Sequence, residues 1–457
     1  MLGIHGLGRE ADRYYLSDPG WQLPAPVPAA WAGTGAAAMG LQGALEPEGF
    51  RRLLEGCHPA TGRPIGSGRT RVAAFDLTFS APKSASVLLA SGDDVARRVL
   101  AAHGEAVAGA LAYLDRHAVT AVRGAGPERI VLPTGGTIAA TFTHAVNRNG
   151  DPHLHSHVVM ANLVHGADGR WSACDRRGLD AHRTAAAAVY EAHLRAAVTA
   201  ALGLRWSGPP RSVPEVVGVP PQLLGEFSSR RAEIRRLRHE QGAGRGRGSR
   251  SAWATTRAPK DPAPPYGALV GEWRRRARAA AHVDLTLVRP GVPARDAGLV
   301  DEHRFAAVIS LTPHGGARRR DVVAAFAAGA VDGIGAGALE RLVDAWVPAG
   351  PVGVREPLQP RRTVVPAGHL LHALGARPLD PDAHEVWRGA ARAVEDYRAR
   401  WGLRRSVEAL GPASPVALAA LPPARLADRT RAQHQLAAAR ARLGRREPAG
   451  PELGLAR

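Results

Sequence analysis

The chain has 457 residues, 45% of them hydrophobic, and a formal net charge of +19; the length suits about two to four domains, and the apolar content excludes wholesale disorder. Lys83 and Lys260 are the only lysines, so the charge is mostly arginine and favours a nucleic-acid partner, although a GC-rich genome would also raise the arginine count. The two cysteines, Cys57 and Cys174, exclude a disulfide scaffold and are expected to be buried thiols. The sequence has no apolar run of roughly 20 residues and no signal-peptide core, which indicates a cytoplasmic protein without membrane insertion.

Composition divides the chain into three regions. Residues 1–206 alternate strand-like and helix-like segments and are expected to form a compact domain. Residues 207–285 are rich in proline, glycine and arginine, with short helices between. Residues 286–457 are rich in alanine and arginine and are predicted to be helical and partly disordered.

In the first region, alternating apolar residues predict a strand over residues 72–79. Its apolar side chains, such as Phe75, face one side, whereas Asp76 faces the other. The run Ser-Ala-Pro-Lys-Ser then breaks the strand, and a helix is expected to start near Ser84.

Two long helices are also predicted in this region. Asp93 and Asp94 cap the first, which runs to about Arg116. The second is alanine-rich, covers residues 183–202, and is stopped by Gly203.

A further pair of strands is predicted over residues 138–144 and 153–163, joined by the turn-rich run at 147–152. They form an antiparallel hairpin. Hairpin-linked strands with long helices between them indicate an α+β fold, a two-layer sandwich in which helices cover one face of a central antiparallel sheet. The other face is left for a functional site.

Four histidines lie on this hairpin: His144 on the first strand, and His153, His155 and His157 on the second. Residues two apart on a strand share a face, so the last three line one side, and His144 can reach it across the hairpin. Three neutral imidazoles converging from two strands form a divalent-metal site with open positions. Chance clustering on a surface strand is the alternative, and Phe142, which shares the face of His144, means that alternation alone does not fix the geometry.

Tyr14 and Tyr15 follow a short segment, residues 1–4, that is a candidate strand. A metal beside an arginine-rich surface suits a phosphodiester, whose cleavage needs water or a side chain as nucleophile. The tyrosine pair is a candidate for that nucleophile. Taken alone, it would indicate an ordinary helix start with one ring packed and one exposed.

Four motifs, taken in order, carry a family resemblance. They are the tyrosine pair; Trp-Ala-Gly-Thr-Gly at 31–35; Phe-Asp-Leu-Thr-Phe-Ser-Ala-Pro-Lys-Ser at 75–84; and Gly-Asp-Pro-His-Leu-His-Ser-His-Val-Val at 150–159, preceded by His144. Their order and spacing resemble the relaxase domain of MobF-type (TrwC/TraI-like) conjugative relaxases, closest to the actinobacterial branch, in the HUH endonuclease superfamily. The resemblance covers roughly residues 1–285 and implies a relaxase palm over 1–206 and a basic helical lid over 207–285.

The resemblance implies Tyr14 as the nucleophile, with Tyr15 beside it. Asp76 matches an acid that orients a ligand histidine or takes the tyrosine proton. The implied metal ligands are His144, His155 and His157, because His153 stands where relatives often carry glutamine. Mg²⁺ or Mn²⁺ is the implied metal, with Zn²⁺ as an alternative. Three basic residues are implied as DNA contacts: Lys83, Arg148 and Lys260.

The implied reaction is transesterification on single-stranded DNA at an origin of transfer. It leaves a 5′-phosphotyrosine and a free 3′-hydroxyl, and it is later reversed without ATP. A coupling protein and accessory relaxosome proteins are the implied partners, and transfer of the chain with the DNA into a recipient cell is implied as well.

Two departures from the family pattern stand out. Many relatives carry a second tyrosine pair, but residues 16–23 contain no tyrosine, so a two-tyrosine termination scheme is in doubt. After residue 285 there is no phosphate loop and no lysine, which excludes a working NTPase motor there.

Other interpretations stay open at this point. A rolling-circle replication initiator or a transposase shares the chemistry; a DNA-binding module with decayed catalysis and an oxygenase with a 2-His-1-carboxylate iron site are more distant alternatives. The run at 241–250 lacks core formers and is either a linker or a segment ordered by phosphates. A stripe from Val386 to Trp401 at helical spacing indicates a core or a partner face.

Overall fold

The computed structural model describes residues 2–16, 27–65, 72–124, 129–209, 212–240, 264–288, 300–309, 318–346, 374, 380–401, 410 and 421–444. The strands among them are β1 Leu2–Leu7, β2 Ala30–Ala32, β3 Ala74–Ser80, β4 Thr120–Arg123, β5 Ile130–Pro133, β6 Ala139–Val146, β7 Pro152–Ala161, β8 Val164–His165, β9 Trp171–Ser172, β10 Trp206–Ser207 and β11 Glu215–Val216. The helices are α1 Ala11–Leu16, α2 Thr34–Ala38, α3 Pro47–Leu54, α4 Lys83–Val87, α5 Asp93–His117, α6 Arg176–Leu202, α7 Pro221–Glu226, α8 Ser229–Glu240, α9 Tyr266–Ala281, α10 Glu302–Ile309, α11 Arg319–Gly329, α12 Ala336–Trp346, α13 Pro381–Trp401 and α14 Pro423–Arg442.

A five-stranded antiparallel sheet, in the order β1-β3-β7-β6-β2, forms the centre of the fold. Its pairing brings β3 against β7 and β7 against β6, so the predicted hairpin occupies the middle of the sheet. The predicted α+β fold with a central antiparallel sheet is confirmed.

The long helices α5 and α6 cover one face of the sheet. The apolar side of β3, which includes Phe75, Leu77 and Phe79, points into the core beneath them, as the alternation predicts. On the opposite face, Tyr15 of α1 and Phe50 of α3 belong to a second, smaller core. The second face is therefore partly covered by short helices, and only its remainder is left for a site.

The starts of the two long helices differ from those predicted from the local sequence. Helix α6 begins at Arg176, earlier than predicted, because the Asp175 side chain caps it by accepting from the backbone of Arg177. Gly92 is the N-cap of α5, so Asp93 and Asp94 lie in its first turn and act through the helix dipole. The predicted cap at these aspartates was therefore wrong by one position.

The Trp-Ala-Gly-Thr-Gly motif attaches the edge strand β2 to the loop before β6 and to helix α5. A Cβ on Gly33, whose φ is +96°, would lie 2.1 Å from the Thr137 hydroxyl oxygen. The backbone and hydroxyl of Thr34 both donate to the carboxylate of Asp115, at 2.9 and 2.8 Å. The first glycine is thus required by both its backbone conformation and the close approach.

The large core does not stop at the predicted boundary near residue 285. Apolar residues between Val300 and Val343 belong to the same core as α5 and α6. Arg195 of α6 is 2% exposed and donates to the carbonyls of Ala327, Ala330 and Val331 at 2.9 to 3.0 Å. These bonds satisfy carbonyls at the end of α11 and fix it against α6.

Helices α13 and α14 pack on each other around a third core. Ala390, Val394 and Tyr397 of the predicted stripe are buried there, so the stripe is a core face.

Cys174 is buried, and burial raises the pKa of its thiol to about 12. Cys57 is half-buried instead of buried. Among the described residues, no helix combines the length and apolar character needed to cross a membrane.

Candidate active site

The β6–β7 hairpin brings three histidines together on the second face of the sheet. His144 lies opposite His155, and Phe142 lies opposite His157 in the register. One ring nitrogen from each of His144, His155 and His157 lies within 4.8 Å of the others. His144 is buried and the other two are half-buried, so the cluster is partly accessible to solvent.

Hydrogen bonds set the tautomers of two of these rings. Nδ1 of His157 lies 2.9 and 3.0 Å from the carboxylate oxygens of Asp76, and Nδ1 of His155 lies 2.8 Å from the carbonyl oxygen of His153. Both partners can only accept, so both Nδ1 atoms donate, and in the neutral rings the lone pair is on Nε2. Thr78 also donates to Asp76, at 3.1 Å, which fixes the carboxylate.

His153 lies outside this group of three, although its ring centroid is 4.7 Å from that of His155. Burial and the positive groups around it hold the pKa of its ring well below the ordinary value. The ring of His153 is therefore neutral, and its backbone carbonyl accepts from Nδ1 of His155.

The tyrosine pair lies against the same cluster. Tyr15 is 4% exposed, and its ring centroid is 5.1 Å from that of Phe142 and 5.5 Å from that of His157. The ring of Tyr14 lies 4.9 Å from that of Tyr15, and 42% of Tyr14 is exposed. The ring of Tyr15 is therefore packed against His157 of the trio, whereas the ring of Tyr14 is exposed to solvent.

The predicted DNA contacts have different positions. Arg148 is exposed, on the turn between β6 and β7. The Lys83 amine donates to the carbonyl of Pro152 at 2.8 Å, and burial lowers its pKa to about 8. Lys83 thus links the β3–α4 turn to the first residue of β7. Lys260 lies outside the described residues.

Sequence reasoning missed Asp151, whose carboxylate is fully buried beside the histidine strand. It accepts from the backbone and hydroxyl of Ser229 at 3.1 and 2.5 Å, from Arg276 at 3.0 Å, and from Asn147 at 3.2 Å. Trp273 donates to the carbonyl of the adjacent Gly150 at 2.7 Å. These bonds attach α8 and α9 to the hairpin turn. In the sequence, Asp151 has only the features of a turn residue.

The sequence analysis also did not single out His5, which lies on the same face of the sheet as Asp76. It lies opposite Asp76 in the β1–β3 register, and cross-strand partners share a face. A lone histidine on a short N-terminal strand gives no signal of this in the sequence.

Solved structures with the same fold identify the class of protein. The metal-bound structure of the conjugative relaxase TrwC in complex with oriT DNA is 26% identical, with a TM-score of 0.56, and the match covers 62% of this chain and 100% of that one. The structure of TrwC complexed with a 27-mer DNA that comprises the recognition hairpin and the cleavage site matches with the same identity and coverage, at a TM-score of 0.53. The fold is that of a relaxase domain.

The family model of the TrwC relaxase matches residues 7–280. The chain belongs to the TrwC relaxase family, and the resemblance stated from its motifs is confirmed.

The multifunctional conjugation protein TraI of Escherichia coli is 35% identical over 238 residues, which is 49% of this chain and 13% of that protein. The TraI protein of Escherichia coli strain K12 is 38% identical over 165 residues, which is 35% of this chain and 9% of that protein. The chain therefore spans a small part of the length of these relatives.

Proposed function

We propose that this chain is a metal-dependent DNA strand transferase that nicks and rejoins one strand at an origin of transfer. The observation that carries the proposal is that Tyr15 packs against His157 of the imidazole trio and so holds the tyrosine pair beside it. A nucleophile and a metal site must meet at the same phosphorus. Family membership and the oriT DNA in the TrwC structures support the same activity.

Tyr14 is the proposed nucleophile, since it is the exposed member of the pair. Its phenol oxygen attacks phosphorus, the P–O3′ bond breaks, the departing 3′ oxygen takes a proton, and the phenol proton passes to solvent. The product is a 5′-phosphotyrosine, and attack by the 3′-hydroxyl reverses the step. Tyr15 is buried, so a single nucleophile used in both directions fits the missing second pair better than alternation between two tyrosines.

Asp76 is proposed as the residue that orients His157. Its two oxygens accept from His157 and Thr78, and these bonds support the orienting role. This also argues against the oxygenase alternative, since Asp76 is not among the three residues whose ligand atoms cluster.

The donor set fits a divalent metal. His144, His155 and His157 would hold it, the last two through Nε2, with positions left for substrate. When bound, such an ion polarises a phosphate oxygen and stabilises the charge of the transition state. Imidazole ligands suit Zn²⁺ better than Mg²⁺, so we propose that the site prefers Zn²⁺ to Mg²⁺, and Mn²⁺ serves as the probe ion in the experiments below.

Arg148 is proposed to contact DNA from the hairpin turn, because it is exposed there and follows His144 by four residues. Helices α8 and α9, attached to that turn through Asp151, are proposed as the base of the lid over the DNA. Lys83 is proposed as a structural link, and Lys260 stays a predicted contact. Single-stranded DNA is the proposed substrate; a coupling protein, accessory relaxosome proteins, the cytoplasmic location and transfer into a recipient remain predictions of the resemblance.

The test uses single-stranded oligonucleotides tiled across the DNA that flanks the gene, incubated with the full chain and Mn²⁺. We expect one oligonucleotide to give a covalent adduct, which is lost in Tyr14→Phe and retained in Tyr15→Phe. Tyr15→Phe is the matched control, because it keeps the packed ring. Binding without an adduct in the parent would favour a decayed module, and an adduct in Tyr14→Phe would refute the assigned nucleophile.

A further inference from the structure

A buried chain of hydrogen bonds lies under the histidine hairpin, on the face of the sheet opposite the site. His103 of α5 is fully buried; its Nδ1 lies 2.8 Å from the Tyr190 hydroxyl of α6, and its Nε2 lies 2.8 Å from the Ser156 hydroxyl of β7. The Ser156 hydroxyl in turn lies 2.8 Å from that of Thr143 on β6. These hydrogen bonds thus join both covering helices to both strands of the hairpin.

The two hydroxyls of this chain stand next to the metal-ligand candidates in the sequence. Ser156 lies between His155 and His157 and points to the other face, and Thr143 immediately precedes His144. Thr143 and Ser156 are partners in the strand register, next to the pair His144–His155. The hydroxyl bond therefore ties together the segments that carry all three histidines.

The register of this hairpin has a weak point beside the site. The pairing shifts between His144 and Val146, where the strands carry an irregularity. A slip of one residue would turn every side chain of a strand to the opposite face and scatter the histidines. Such a slip would also leave His103 and Tyr190 in the apolar core without their partner, which is costly for buried polar groups.

We infer that His103, Ser156 and Thr143 are positioning residues that hold the hairpin in the register in which the three histidines converge. Burial lowers the pKa of His103 to about 3, so its ring is neutral. A neutral ring has one donor and one acceptor nitrogen. Every hydrogen bond of the network can therefore form with the ring in either tautomer. The consequence for metal binding rests on the proposed function, whereas the consequence for register does not.

Two variants of the full chain remove links by different means. Ser156→Ala deletes the central hydroxyl, and His103→Phe keeps a ring of similar shape but loses both hydrogen bonds. Met160→Ala is the matched control, because Met160 is a fully buried residue of β7 on the same face as Ser156 but outside the chain of hydrogen bonds. It lowers stability without touching the network.

Calorimetric titration of metal-stripped protein with Mn²⁺ alone is the first measurement. We expect Ser156→Ala and His103→Phe to weaken Mn²⁺ binding about tenfold or more, as loss of supporting contacts around a metal ligand does, while Met160→Ala binds like the parent. Where the parent binds Mn²⁺, an equal loss in Met160→Ala, or parent-like binding in both network variants, would overturn the inference.

Amide hydrogen exchange of the metal-free protein is the second measurement, and it separates this inference from the metal proposal. Faster exchange in residues 139–146 and 152–161 of both network variants, beyond that of Met160→Ala, supports register control even if the parent binds no Mn²⁺. Unchanged exchange in those strands would refute it, whatever the metal does.

Discussion

The carboxylate of Asp76 lies 2.9 Å from Nδ1 of His157, and the two residues come from adjacent strands that are far apart in sequence. This bond holds the imidazole with its other nitrogen turned toward His144 and His155. A carboxylate behind a ligand histidine also raises the basicity of that ligand. The properties of the site therefore depend on a residue outside the imidazole trio.

Asp76→Asn keeps the shape of this side chain and removes its charge. We expect Mn²⁺ affinity, measured by calorimetry, to fall by about 10- to 100-fold. Asp168→Asn is the control, because Asp168 pairs with Arg123 away from the site, and it should bind like the parent. Equal affinities for the parent and Asp76→Asn would show that the bond is incidental.

Asp151→Asn tests the attachment of α8 and α9. Arg276 donates to this buried carboxylate, and breaking a buried pair costs about 3 kcal/mol of unfolding free energy. We expect faster amide exchange in residues 229–240 and 266–281 together with lower stability in urea. Asp94→Asn, which breaks exposed ion pairs with Arg97 and Arg98 and weakens an exposed interaction with the dipole of α5, should change stability by about 1 kcal/mol or less.

The burial of the Lys83 amine should make the unfolding free energy depend on pH in the alkaline range. Its folded pKa is about 8 against an ordinary 10.5, so between these values the unfolded chain binds more protons, and stability rises with pH. Below about pH 8 both states are charged and the cost of burial is fully present. Relative to Lys83→Met, the parent should gain about 2 kcal/mol between pH 8 and pH 10 in urea titrations. A constant difference across that range would contradict the assigned burial effect.

Gly33→Ala should destabilise the fold more than Gly43→Ala. Both glycines have positive φ, at +96° and +72°, but a Cβ on Gly33 would strike Thr137, whereas nothing lies within 4 Å of a Cβ on Gly43. We expect losses of about 3 and about 1 kcal/mol, respectively, since only the first adds a clash to backbone strain. Similar unfolding midpoints for the two variants would remove the close approach as the reason for this glycine.

The features of the site that the sequence predicted are those fixed by local geometry. Alternation along a strand put Asp76 opposite Phe75, and the short loop between β6 and β7 brought His144 to His155 and His157. Asp151 was missed because its partners Ser229 and Arg276 lie 78 and 125 residues further along the chain. The role of Lys83 was missed for the same reason: a cation in the turn after β3 suggests a phosphate contact, and only the fold shows that it donates to the carbonyl of Pro152.

The continuity of the core past residue 285 sets a minimum size for a working fragment. A version trimmed to the family match would end at residue 280 and remove α10, α11 and α12, so α6 would expose an apolar flank to water. Its Arg195 would keep a guanidinium in that flank after losing the three carbonyls that receive its hydrogens. We expect the trimmed protein to aggregate, and one extended through Trp346 to remain monodisperse.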